Sequence, residues 1–102
     1  MKKFEVSFRP LAEADLFELY RDIAAEADHR VVDGYFDRIE AVCTGLANLS
    51  ERGRRRDDIR PGLRIMGFER RATVVYQVTK KEVVIVRIFY GGQDFERALE
   101  GG

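Results

Sequence analysis

Apolar and polar residues alternate at the start of the chain, in Phe4-Glu5-Val6-Ser7-Phe8, with the two-residue period of a half-buried strand. Pro10 suits the first turn of a helix, where its missing N–H would have no partner in any case. From Leu11 the period changes. Leu16, Tyr20, Ile23 and Ala27 fall on one helical face, and Asp15, Glu18, Asp22 and Glu26 on the other. Asp28 is placed to cap a second helix, whose apolar stripe runs Val32, Tyr35, Ile39, Val42, Leu46 and Leu49. With only about one residue between them, the two helices are expected to form an antiparallel hairpin. Gly53 follows the last periodic positions and is expected to end the second helix in the left-handed conformation.

Arg54 to Arg60 reads as a charged loop. Leu63-Arg64-Ile65 alternates again, and Gly67 is expected to allow a turn or bulge near Phe68-Glu69-Arg70. Ala72 to Val78 and Val83 to Phe89 are β-branched and aromatic, and read as strands joined by a hairpin turn at Thr79-Lys80-Lys81-Glu82. Asp94 to Leu99 predicts a short final helix capped by Asp94. The order β-α-α-β-β-β(-α) predicts an α+β fold, with a helical hairpin packed on one face of a small, mostly antiparallel sheet. Leu16, Tyr20, Ile23, Tyr35, Ile39, Val42 and Leu46 are expected to fill the space between hairpin and sheet.

Length and composition narrow the class. At 102 residues, the chain is expected to form a single domain over residues 1–102. An apolar share of 45% favours a folded globule. The single cysteine, Cys43, cannot form an internal disulfide, which fits a reducing cytoplasm. No apolar run approaches the roughly 20 residues of a membrane span. Met1-Lys2-Lys3 leads into strand-like alternation rather than the apolar core of a signal peptide. A soluble, cytoplasmic protein is expected.

The net charge of zero hides an asymmetry. Residues 13–51 carry ten acids against three arginines, and residues 52–71 carry eight arginines against three acids. A basic segment beside an acidic one bears on partners and on steering, not on the fold.

The chemistry-bearing residues exclude several classes. His29 and Cys43, each the only residue of its type, have no ligand spacing between them, so no metal or other cofactor is expected. Cys43 is expected to be buried as a small apolar residue, and His29 to be solvated or to cap a helix start. Gly91-Gly92 follows a strand without the further glycines or lysine-serine pair of a phosphate-binding loop. Asp57-Asp58 lies among arginines and is expected to form salt bridges. A metal-free nuclease would need several cations and a proton donor in one concave surface, for which Arg60, Arg64, Arg71, Arg87 and Tyr90 are the candidates. Arg87 lies in an apolar strand and requires either a carboxylate partner from a helix or a role at an activity surface.

Five short motifs occur together. They are Asp15-Leu16, Gly53-Arg54, Arg60-Pro61-Gly62-Leu63-Arg64, Val75-Tyr76 and Arg87-Ile88-Phe89-Tyr90-Gly91. In this order and spacing, from Phe4 to about Leu99, the chain resembles the ParE branch of the RelE/ParE toxin superfamily, often labelled plasmid stabilisation proteins. The resemblance implies the toxin half of a type II toxin–antitoxin module, which inhibits DNA gyrase by protein contact and has no catalytic residues of its own. It also implies a ParD-like antitoxin with a ribbon-helix-helix end, forming a hetero-oligomer with the toxin and providing its only route to DNA. Candidate antitoxin anchors are Leu11, Phe17, Leu19, Phe36 and Phe68, with Arg54, Arg55, Arg56, Arg60 and Arg64 as a basic belt for an acidic tail. Arg87, Tyr90, Gln93 and Asp94 are the candidate target surface.

The alternative is the RelE branch, which cleaves mRNA in the ribosomal A site. Its two arginines and its C-terminal tyrosine align with Thr73, Gln93 and Leu99, which cannot supply the charge or the phenol. Its lysines align with the region Asp57 to Arg60, where Arg60 is the only cation.

Overall fold

The computed structural model describes residues 4–91 and 94–100, for Glu100 the backbone alone. The opening alternation forms strand β1 (Glu5–Phe8), and Pro10 begins helix α1 (Pro10–Ala24). Ala12, Leu16, Leu19 and Ile23 form the buried stripe of α1. Leu19, expected at a partner surface, therefore belongs to the core, because it continues the 4-3-4 spacing. Helix α2 (His29–Gly45) starts as predicted, with the Asp28 carboxylate accepting from the Arg30 N–H at 2.7 Å.

The second helix ends earlier than its stripe suggests. After Gly45 the chain turns, Leu46 and Ala47 stay buried, and Leu49 is exposed. Gly53 is not the left-handed helix terminator; among the described residues, positive φ belongs to Gly62, Gly91, Glu69 and Arg70. Gly53 serves a close contact instead. Its N–H donates to the buried Tyr76 hydroxyl at 2.6 Å, and that hydroxyl donates to the Ser50 carbonyl at 3.0 Å.

Strands β2 (Arg54–Arg55), β3 (Leu63–Phe68), β4 (Ala72–Val78) and β5 (Glu82–Tyr90) follow, and α3 (Phe95–Glu100) comes last. The sheet order is β1-β5-β4-β3-β2, with β1 parallel to β5 and the other pairs antiparallel. The segment expected to be only a charged loop thus begins with a two-residue edge strand, Arg54 opposite Ile65 and Arg55 opposite Arg64. Gly67 lies inside β3, not in a turn. Glu69 and Arg70, at φ 47° and 60°, make the β3–β4 turn, closed by the Arg71 N–H donating to the Phe68 carbonyl at 3.0 Å. Two positive φ values mark a primed hairpin turn, which usually selects glycine or asparagine. Here Glu69 also receives a bidentate pair from Arg38 of α2, at 2.6 and 2.9 Å.

The hairpin covers one face of the sheet. Ile39, Leu46, Val74, Tyr76, Val83 and Ile85 are among the side chains packed there, with Tyr20 and Val42 half-buried at its border. The opposite face has its own apolar cluster, including Leu63, Val75, Val86, Phe89 and Leu99, with Ile59 and Phe95 packed against it. Strand β5 therefore needs apolar side chains on both faces, which explains its unbroken run Val83-Val84-Ile85-Val86. No helix among the described residues is long and apolar enough to cross a membrane.

Cys43 is fully buried on α2, and burial pushes its thiol up to about 12. At pH 8 only about one thiol in 10⁴ would be ionised at that value, and the thiolate is the reactive form. Cys43 is expected to resist a thiol reagent in the native protein and to react fully in denaturant. Rapid native-state labelling, followed by absorbance, would contradict the packing of α2 on the sheet.

Candidate functional site

Strand β1 stops at Phe8, where the Arg9 N–H donates to the Ile85 carbonyl at 2.9 Å. Beyond that point β5 has lost its neighbour on this side. Asp15, one and a half turns into α1, takes its place: its Oδ2 accepts from the Ile88 N–H at 2.8 Å and from Arg87 Nε at 2.7 Å. Its Oδ1 accepts from Arg87 Nη2 at 3.0 Å. A bulge supplies the geometry. Tyr76 pairs with Ile85 and Val75 with Arg87, so Val86 is the extra residue that shifts the alternation before Arg87. The guanidinium also lies 4.7 Å from the centre of the Phe89 ring. Side-chain exposure is 13% for Asp15 and 25% for Arg87, so the pair is largely removed from water.

The described residues of the candidate target surface are each engaged within the fold. Arg87 is held by a helix carboxylate, Tyr90 packs against the helix-face core, and Asp94 accepts from the Arg97 N–H at 3.2 Å as the cap of α3. Gln93 lies outside the described residues.

The basic belt is tied largely to its own surroundings. Arg55 pairs with Asp57 at 2.8 Å, and Arg56 with Asp58 at 2.9 Å and Glu96 of α3 at 3.2 Å. Arg60 donates to the Leu99 carbonyl at 3.2 Å, so α3 is joined to this loop at both ends. The Gly62 N–H and then Arg55 hold the Asp57 carboxyl below its usual range, and Arg56 does the same for Asp58. Arg64 Nη1 donates to the Gly53 carbonyl at 2.7 Å and the Glu51 carbonyl at 3.3 Å. Arg54 and Arg55 have exposed side chains on the edge strand.

The apolar candidates separate into two groups. Leu11 is 61% exposed and Phe17 66% exposed. Phe17 and half-buried Phe36 line an open groove of about 340 Å³ between the two helices and β1, together with Phe8 and Leu16, and Glu13 and Glu40 add carboxylates to its lining. Leu19 and Phe68 are buried and are not surface anchors. Phe68 sits edge-on to Tyr35, with ring centres 5.3 Å apart, because its side chain faces the helices from β3. Exposed Leu49 was missed, since its spacing places it on the α2 stripe; only the early end of the helix exposes it. Among the described residues, no group of three or more His, Cys, Asp or Glu side chains is placed to hold a metal ion.

Residues 6–95 match the sequence profile described as the ParE toxin of the type II toxin–antitoxin system, parDE. The chain belongs to the ParE toxin family. A curated relative, Toxin ParE3 of Caulobacter vibrioides, is 35% identical over 91 residues, covering 89% of each chain. A chain of the chromosomal ParDE toxin–antitoxin system of P. aeruginosa superposes with a TM-score of 0.74 at 22% identity, over 88% of this chain and 98% of that one. A chain of the RelBE2 toxin–antitoxin complex of Mycobacterium tuberculosis gives a TM-score of 0.59 at 18% identity, over 91% of this chain and 97% of that one. The two structures establish the fold common to ParE and RelE toxins, and fold alone does not select a target. In this ParE-family chain, Thr73 is half-buried on β4 and Leu99 is buried in the outer-face core.

Proposed function

We propose that this ParE-family toxin acts on DNA gyrase by protein contact in the cytoplasm, without catalytic residues, and is neutralised by a ParD-like antitoxin. The observation that favours contact over RNA cleavage is the engagement of the candidate cations. Arg87 is paired with Asp15 and Arg60 donates to the Leu99 carbonyl, while Thr73 and Leu99 occupy two positions where a RelE-type nuclease has an arginine and a tyrosine. Losing one transition-state contact commonly lowers a rate by roughly 10²–10³. The purified toxin is expected to inhibit supercoiling and to trap gyrase–DNA breaks. Codon-specific cutting on programmed ribosomes, with gyrase unaffected, would transfer the protein to the RelE activity.

Antitoxin recognition is proposed for the Phe17–Phe36 groove and Leu11, which offer apolar anchors, with exposed Arg54 and Arg55, on the edge strand at the other side of the sheet, meeting an acidic part of the same partner. An aromatic side chain this exposed beside an apolar groove matches the anchors that centre interfaces. Phe17→Asp is expected to weaken antitoxin binding by about 30-fold or more while leaving the fold intact, as read by calorimetry and circular dichroism. Unchanged affinity would remove the groove from the interface.

A further inference from the structure

Two unfavourable features meet at the β3–β4 turn. Glu69 and Arg70 both lie at positive φ, where the Cβ of an L-residue crowds the backbone. Beside the turn, the Tyr35 hydroxyl is buried with no hydrogen-bond partner, while its ring packs edge-on against Phe68. Glu69 is compensated in part, because its carboxylate receives the bidentate pair from Arg38, whose guanidinium carbon lies 5.8 Å from the centre of the Tyr35 ring. Arg38 and Glu69 have side chains 55% and 38% exposed, so this pair orders the turn more than it stabilises it. Arg70 has no such return. It is exposed, and its side chain makes no ion pair or hydrogen bond among the described residues.

Other exposed arginines differ in this respect. Arg21 lies on helical backbone and Arg54 on a strand, so nothing beneath them selects against arginine. At Arg70 a glycine would serve folding better, so the arginine answers a requirement outside the fold. The place of the turn suits a contact. It stands at the end of the sheet where Ala72 pairs with Tyr90, next to the candidate target surface. The Arg71 N–H donates to the Phe68 carbonyl at 3.0 Å, and the Arg71 carbonyl accepts from the Gly91 N–H at 2.8 Å. Arg70 and exposed Arg71 are thus presented on a backbone already held in place, which lowers the ordering cost of an interface.

We propose that the β3–β4 turn is a recognition tip of the toxin, at which Arg70, with Arg71 beside it, binds carboxylates on an acidic surface of the target protein. A carboxylate matches the planar guanidinium fork in both charge and geometry. A nucleic-acid backbone, with a phosphate at every nucleotide, fits less well, because the Glu69 carboxylate adjoins the two arginines in the same turn. The choice of gyrase as the target rests on the function proposed above; the assignment of the tip does not.

The wild type, Arg70→Gly, Arg70→Gln and Arg70→Lys are compared for growth arrest in cells and, as purified proteins, for thermal unfolding, gyrase inhibition and antitoxin affinity. Arg70→Gly relieves the turn and is expected to raise Tm by about 4 °C while weakening growth arrest and gyrase inhibition about tenfold or more. Arg70→Gln keeps a long polar side chain without the charge and is expected to lose as much activity, whereas Arg70→Lys keeps part of it. Antitoxin affinity is expected to stay the same in all three, and the wild type is expected to bind DNA-free gyrase. Full activity of the stabilised Arg70→Gly protein would overturn the proposal. So would a fall in its Tm, which would give the arginine a role in the fold, or full activity of Arg70→Gln, which would remove the carboxylate. Binding of the wild type to DNA alone, lost in Arg70→Gln, would assign the tip to phosphates instead, and a parallel loss of antitoxin affinity would assign it to the antitoxin. Growth arrest by a wild type that leaves gyrase unaffected would defeat the choice of gyrase, while its loss in Arg70→Gly and Arg70→Gln would still support the tip. A wild type that neither arrests growth nor inhibits gyrase would defeat the proposed function and the tip together.

Discussion

Asp15→Ala is expected to destabilise the protein by about 3 kcal/mol, because it strands a largely buried cation and an unpaired strand N–H together. The wild-type carboxylate satisfies Arg87 Nε, Arg87 Nη2 and the Ile88 N–H at 2.7–3.0 Å. Alanine removes all three acceptor contacts where β1 no longer reaches to replace them. For a domain of this size the loss corresponds to a fall in Tm of roughly 12–20 °C. Arg87→Leu in the Asp15→Ala background is expected to recover part of the loss, since it removes the unpaired charge and leaves only the Ile88 N–H without its partner. Denaturant unfolding of the two singles and the double would measure the coupling. Additive effects would show that the pair contributes nothing beyond its separate side chains.

Gly53→Ala is expected to cost about 3 kcal/mol, through crowding and the loss of the hydrogen bonds around Tyr76. An added Cβ would lie 2.6 Å from the Tyr76 hydroxyl and 2.8 Å from the Ile65 carbonyl. The hydroxyl could move only by giving up the Ser50 carbonyl and the Gly53 N–H, and the Ile65 carbonyl belongs to β3 and is not free to shift. Gly45→Ala is the matched control. Nothing lies within 4 Å of its added Cβ, and it ends a helix, so it is expected to stabilise by about 0.5–1 kcal/mol. Equal small effects of the two substitutions on Tm would show that the Gly53–Tyr76 contact does not constrain the segment after α2.

Both predictions concern places where local pattern and tertiary contact meet. The strand at Glu5–Phe8, the proline start of α1, the Asp28 cap and the strands from Leu63 to Tyr90 follow from signals carried within a few residues: period, caps and β-branching. The same signals placed Ile23, Ile39 and Leu46 in the core. The five motifs in their order carried the resemblance to ParE toxins, and the profile match over residues 6–95 shows the family. The requirement that Arg87 have a partner was legible too, because a cation in an apolar strand is costly wherever that strand is buried.

Contacts between distant segments settled the rest. Asp15 and Arg87 are 72 residues apart, and they meet because β1 ends just where the bulge in β5 begins. Leu19 and Phe68 look like candidate anchors on spacing alone, yet the width of the helix–sheet contact buries both. Leu49 continues a helical period but is exposed, because Tyr76, from a strand 26 residues beyond Ser50, holds the chain in a turn there. Periodicity records which face a side chain would take if its element continued, and so it determined the elements and most of the core. Where an element stops, and which residue replaces a missing strand neighbour, is set by backbone groups that must find partners across the fold. Tertiary structure alone therefore decided the Asp15–Arg87 pairing, the ends of the elements and the exposure of Leu49.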